Sequence, residues 1–264
     1  MEPQTARPAR STRAFCVGQA KAGTASLCGL LASAGRAAHE PERADTLGMI
    51  LREARDEASA AEVRDWLAAR DRRLGLDYDI AWANQFLVDH LPEVFPDARF
   101  IVLVRDPYTW LVSVAGHLLV REIPPEVRGF LDWWFRPEAH PFEAGDAGLE
   151  ARGLYSSAAF LAAWRRHVER CEAALPADRT LVLRTHELDR SRGRLEAFLG
   201  LEEGSLEPPA GRLNRGTWPG SLESLVDPDH LAATVARTCG EHVARLFPGV
   251  LGLEDAQALW VQTD

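Results

Sequence analysis

The sequence predicts a three-layer α/β/α sandwich on a central parallel sheet, and three stretches carry that prediction. Residues 14–17 form a short apolar strand ending at Gly18, followed by a small-residue loop to Gly23 and a helix over 24–34. Residues 100–104 (FIVLV) are an uninterrupted β-branched and aromatic run, the pattern of a parallel strand buried on both faces. Residues 180–184 (TLVLR) repeat that pattern and are read as a further buried strand, after an amphipathic helix over 154–175.

The remaining elements follow in order. Leu27, Leu30 and Leu31 share one face of the first helix, and Gly35 stops it. Residues 45–75 are helical and charge-laced, a helical insertion over the sheet, and 77–81 are read as a second strand. Pro107 stands at the first position of a helix that continues through 108–120. Residues 121–153, rich in Pro, Gly and aromatics, read as a mobile cover, and helices are expected over 191–199 and 229–246. With no repeats and no linker composition, 1–264 reads as one domain behind a polar leader at 1–12.

Composition narrows the function. A net charge of -9 argues against broad contact with nucleic acid or an anionic membrane, while leaving room for a local basic pocket. No run reaches the roughly 18 apolar residues of a membrane span, and the leader lacks the apolar core of a signal peptide. Cys16, Cys28, Cys171 and Cys239 form no CxxC pair, which fits reduced thiols in a cytoplasm. Among 30 basic residues the single lysine is Lys21. Lysine is a compact ammonium donor where arginine is a wide planar fork, so its retention inside the glycine loop marks it as functional.

A strand, a glycine loop and a helix N-terminus together make an anion site, because free backbone N–H groups and the helix dipole converge there. Gly18 and Gly23 have the spacing of a nucleotide P-loop, yet Thr24 stands at its lysine position and Ala25 at its magnesium-ligand hydroxyl position. The loop is therefore expected to hold a phosphate without a metal. A second phosphate site is expected at Arg105 and Ser113, at the C-terminal end of the 100–104 strand and about two turns into the following helix.

These two motifs, Lys21-Ala-Gly-Thr-Ala-Ser-Leu27 and Phe100 through Arg105-Asp-Pro to Ser113, resemble those of the sulfotransferases that use 3′-phosphoadenylyl sulfate (PAPS) and release adenosine 3′,5′-bisphosphate (PAP). The run 95–101 (FPDARFI) is a similar lead-in, and 180–188 (TLVLRTHEL) resembles the family's later strand. The resemblance implies that Lys21 contacts the bridging and sulfuryl oxygens. It implies that backbone groups of Ala22, Gly23, Thr24 and Ala25, with the Thr24 and Ser26 hydroxyls, hold the 5′-phosphate. It gives the 3′-phosphate to Arg105 and Ser113, with Asn214, Arg215 and Gly216 as the nearest match to a late loop. Thr185 departs from the pattern, standing where one branch has an adenine-facing tyrosine.

The family's base is a glutamate or histidine near the acceptor. Asp79 is similar in placement to one branch's glutamate, His117 shares a helix face with Ser113, and His90 resembles another branch's histidine motif. Trp82, Trp110, Trp133, Trp134 and Phe135 suggest an apolar wall over a small-molecule acceptor, such as a hydroxylated natural product. The alternatives to a metal-independent sulfotransferase are a noncatalytic nucleotide-binding module and a small-molecule kinase; the kinase lacks its lysine and metal ligand.

Overall fold

The structure is a computed structural model that describes residues 13–207 and 220–261. Five strands, β1 (Ala14–Cys16), β2 (Ala37–His39), β3 (Tyr78–Ile80), β4 (Arg99–Val104) and β5 (Thr180–Arg184), form one sheet in the order β2-β3-β1-β4-β5. Every pairing is parallel, with Phe15 level with both Asp79 and Phe100. Helices α1 (Thr24–Leu31), α2 (Arg43–Ala54), α3 (Ala60–Leu74) and α4 (Leu91–Val94) lie between the first four strands. Helices α5 (Pro107–Leu119), α6 (Pro125–Phe135), α7 (Ala147–Glu150) and α8 (Ser157–Ala174) join β4 to β5. Helices α9 (Arg192–Leu199), α10 (Pro228–Leu246) and α11 (Leu253–Val261) follow.

Strand alternation builds the layers. Phe15, Phe100, Val102 and Val104 feed one core, whereas Ala14, Cys16, Ile101 and Leu103 feed the other. The second core is the smaller, closed by Leu27, Leu30 and Leu31 of α1 and by Leu195 and Leu199 of α9. The larger takes Val63 and Leu67 of α3, Trp110 and Val114 of α5, Phe160 and Trp164 of α8 and Val235 of α10. The expected α/β/α sandwich is therefore present, with unequal layers.

Local chemistry corrects several sequence-level boundaries. The periodic stretch 45–75 is two helices, because Ser59 and Glu62 form a capping box that restarts the chain as α3 and Gly75 (φ 63) ends it. Those helices connect β2 to β3, and β2 escaped the sequence reading because three half-exposed residues carry no period. The strand β5 is an edge, not a buried strand, and Val182 is 41% exposed. Within 121–153, α6 is packed into the larger core through Phe130 and Phe135, so its aromatic run is structural where a mobile cover was expected. Helix α11 was not anticipated.

Asp79 lies at the heart of this packing. Arg70 of α3, itself 2% exposed, pairs with one carboxylate oxygen, and Asn84 Nδ2 donates to the other at 3.3 Å while also reaching the Cys16 carbonyl at 3.1 Å. The group ties α3 to the β1–β3 seam. Removing one partner of a buried pair strands the other charge, so Arg70→Met is expected to lower the unfolding free energy by about 3–5 kcal/mol in urea. A loss well under 1 kcal/mol would show that the pair is not structural.

Candidate functional site

Strand β1 runs into the loop through Gly18, where a Cβ would lie 2.7 Å from the Cβ of Leu103; only glycine lets the loop cross β4 so closely. The chain then turns through two left-handed residues, Lys21 (φ 67) and Gly23 (φ 93). The carbonyls of Ala20, Lys21 and Ala22 are each held by a side chain from elsewhere in the fold. Trp110 Nε1 of α5 donates to Ala20 O at 2.8 Å, Arg105 Nη1 to Lys21 O at 3.2 Å, and Thr185 Oγ1 to Ala22 O at 2.7 Å. Gly23 O accepts from Leu27 N at 3.0 Å as α1 begins.

With the carbonyls held, the N–H groups of Thr24, Ala25 and Ser26 form the first turn of α1 and have no partner among the described residues; that turn has no side-chain cap and no acidic residue. An uncapped helix start beside a left-handed turn is an anion cradle. It sits at the C-terminal ends of β1 and β4, neighbours in the sheet although the chain leaves β1 for β2.

The surrounding charge is positive. Burial lowers the pKa of Lys21, Arg105 and Arg121 lower it further, and Glu40 opposes them. Arg105 is pulled down to about 10 by burial against the opposing pull of Asp106, and remains cationic at neutral pH. It is fixed by Nε donation to Thr109 Oγ1 at 2.9 Å and by the Trp260 ring 4.7 Å from its guanidinium carbon. Thr109 is in turn held by Asp106, the N-cap of α5. Ser113 and His117 follow Thr109 at successive four-residue steps along α5, Ser113 half-buried. His117 is pushed down to about 4, first by burial and then by Lys21, Arg121 and Arg43, so it is a neutral imidazole at pH 7.

The structure thus brings Lys21, Ala22, Gly23, Thr24, Ala25, Ser26, Arg105 and His117 to one place. Thr24 differs in detail, since its hydroxyl lies 3.0 Å from His39 Nε2. Asp79 is separated from this chemistry by its pairing with Arg70 and Asn84; with both oxygens held and 5% exposure it reads as a packing residue, and its expected role as base is not supported. His90 lies against Glu53 of α2 at 2.6 Å. Asn214, Arg215 and Gly216 lie outside the described residues. Trp110 is buried as a loop anchor and Phe135 as core, so neither walls an acceptor.

Sequence reading missed three contributors. His39 and Glu40 stand where β2 ends, 3.7 Å apart, and the Glu40 N–H donates to Ile80 O at 2.9 Å. Glu40 has φ 51, an uncommon non-glycine conformation of the kind that gathers at functional sites. A His-Glu pair a few residues past a helix-stop glycine was the available signal. Trp260 arrives from α11, and only tertiary packing brings it to Arg105.

A family model described as a sulfotransferase domain matches residues 13–211. Similar solved structures include a sulfotransferase from Alicyclobacillus acidocaldarius, 18% identical over 90% of this chain and 95% of that one, with a TM-score of 0.48. The sulfotransferase domain of the Synechococcus PCC 7002 olefin synthase is 19% identical, with 99% and 97% covered and a TM-score of 0.41. A sulfotransferase domain from the curacin biosynthetic pathway is 14% identical, with 95% and 96% covered and a TM-score of 0.41. No curated protein matches the chain.

The His117 environment is directly testable. Its proton is bound more readily by the unfolded chain, so its contribution to stability is complete above its ordinary value of about 6.5 and is lost as pH falls from there towards 4. NMR titration of the ring is expected to give a midpoint near 4, rising in Lys21→Ala; a midpoint near 6.5 in both proteins would contradict the buried, positively flanked placement.

Proposed function

The chain belongs to the sulfotransferase family, and from that premise we propose that it moves a sulfuryl group from PAPS to a hydroxyl of a small-molecule acceptor, releasing PAP. The observation that carries the donor assignment is the cradle itself: three N–H groups at the start of α1 without a partner among the described residues, flanked by Lys21 and Arg105. The donor fits there by chemistry, since the cradle offers donors and positive charge and no capping carboxylate. When bound, it supplies a sulfuryl group on a phosphate leaving group. In transfer, the bond from sulfur to the bridging phosphate oxygen breaks, a bond from sulfur to the acceptor oxygen forms, and the acceptor's proton passes to a protein base.

Each residue then has a task. The N–H groups of Thr24, Ala25 and Ser26 hold the 5′-phosphate, and Lys21 sets a compact ammonium against the charge growing on the leaving phosphate. Arg105 and Ser113 hold the 3′-phosphate, the feature that distinguishes PAP from AMP. His117 takes the acceptor's proton, because it is neutral at working pH and faces Lys21. Glu40 is the second reading for that step, favoured by its strained backbone and its influence on Lys21. The pair is separated by comparing His117→Ala with Glu40→Gln, of which only the true base abolishes turnover at saturating substrates.

The central test is Lys21→Arg. If a point charge on the bridging oxygen is required, the wider fork of arginine serves badly, and kcat should fall about 10²–10³-fold while PAP affinity changes little. PAP should also raise Tm more than AMP does. Near-normal kcat in Lys21→Arg would remove the assigned role of Lys21, and equal shifts from PAP and AMP would remove that of Arg105.

A further inference from the structure

A cleft separate from the cradle opens between the 3₁₀ turn Trp82–Phe86, α6 and α8, lined by Phe86, Trp133, Trp134, Arg136, Arg166 and Arg170 among others. Its walls combine flat apolar rings with guanidinium groups. Phe86 and Trp133 have ring centroids 5.2 Å apart, and Trp134 stacks on Trp82 at 5.4 Å, which fixes the aromatic side. His167 forms part of the lining and is 3% exposed, and burial pushes it down to about 3, so it adds no charge.

The cations are unevenly satisfied. Arg170 pairs with Asp89, and Arg165, beside the cleft, pairs with Glu169 at 3.5 Å. Arg166 gives Nη2 to the Trp134 carbonyl at 2.6 Å, and among the described residues no carboxylate stands within ion-pair distance of Arg166 or Arg136. This occurs in a chain whose carboxylates outnumber its cations. Burial, Arg136 and Arg165 pull Arg166 down to about 10 against the opposing pull of Glu169, and burial and the same three arginines lower His140 against Glu138. Arg136 moreover sits at the C-terminal end of α6 with φ 52, a left-handed position where glycine or asparagine is the low-strain choice. A left-handed residue and three close arginines therefore meet at the mouth of the cleft.

We propose that this cleft binds a small organic oxyanion, its charged head between Arg136 and Arg166 and a flat apolar body against Trp133 and Phe86. Carboxylates and sulfate esters share that chemistry. Paired N–H donors of arginine suit two oxygens of either head, and the rings exclude water from the contact. The site is independent of the proposed sulfuryl transfer and is read by binding alone, so either assignment can fail without the other.

The test is calorimetric titration of the full chain with benzoate and with phenyl sulfate, using neutral benzamide as the control. Both anions are expected to bind and benzamide is not. Arg136→Ala, which removes an exposed side chain and leaves the fold intact, should weaken both anions about tenfold or more, as loss of a charge-assisted contact does. Arg166→Gln should do the same. The proposal is overturned by equal binding of benzamide, by no saturable binding of either anion in the millimolar range, or by binding that Arg136→Ala and Arg166→Gln both spare.

Discussion

The backbone carbonyls of Ala20, Lys21 and Ala22 are held by three groups from different elements, and Gly23 O takes the first helical bond of α1. Every other feature of the proposed donor site depends on that constraint. A peptide whose carbonyl is held inward turns neighbouring N–H groups outward, and left-handed residues at 21 and 23 make the reversal possible. Lys21 costs roughly 1–2 kcal/mol in that conformation, an amount one or two net hydrogen bonds of about 0.5–1.5 kcal/mol can offset. The holders come from α5, from the end of β4 and from the end of β5, so the loop's shape requires the β1-β4-β5 order of the sheet. The second tier is just as connected. Trp164 Nε1 donates to Arg105 O at 2.8 Å, and Gln19 Nε2 donates to Trp164 O at 3.3 Å, so α8 grips both sides of the same loop.

The electrostatics follow from the packing. An acidic chain concentrates Lys21, Arg43, Arg105 and Arg121 around one helix start, and burial makes each of the groups it reaches easier to discharge. Arg105, pulled down only to about 10, stays cationic under that pressure at neutral pH, whereas His117, pushed to about 4, is neutral. One environment therefore produces a positive cradle and a neutral imidazole side by side. That division of labour is what the proposed transfer needs, charge stabilisation at one end and a proton acceptor at the other.

Much of this was legible in the chain. The strand–loop–helix at 14–31, the apolar run before Arg105 and the lone lysine are local patterns, and local patterns survive into the fold. Asp79 shows where that reading ends. A carboxylate on a strand near the site looks catalytic until Arg70, nine residues upstream on another helix, is seen to hold it. Thr185 likewise reads as a departure from a family pattern, while in three dimensions it anchors Ala22 and packs its methyl where a Cβ on Gly23 would go. Trp260 had no signal at all, because its meaning comes from a contact across 155 residues of chain.

The account stands or falls on which N–H groups receive the nucleotide. Amide chemical shifts of the ¹⁵N-labelled chain, followed while PAP is added, read this without an acceptor or turnover. The expected result is that Thr24, Ala25 and Ser26 show the largest downfield proton shifts, with Trp110 Nε1–H nearly unmoved because its bond to Ala20 O persists. Saturable PAP binding that leaves those three amides in place while others shift would contradict the cradle.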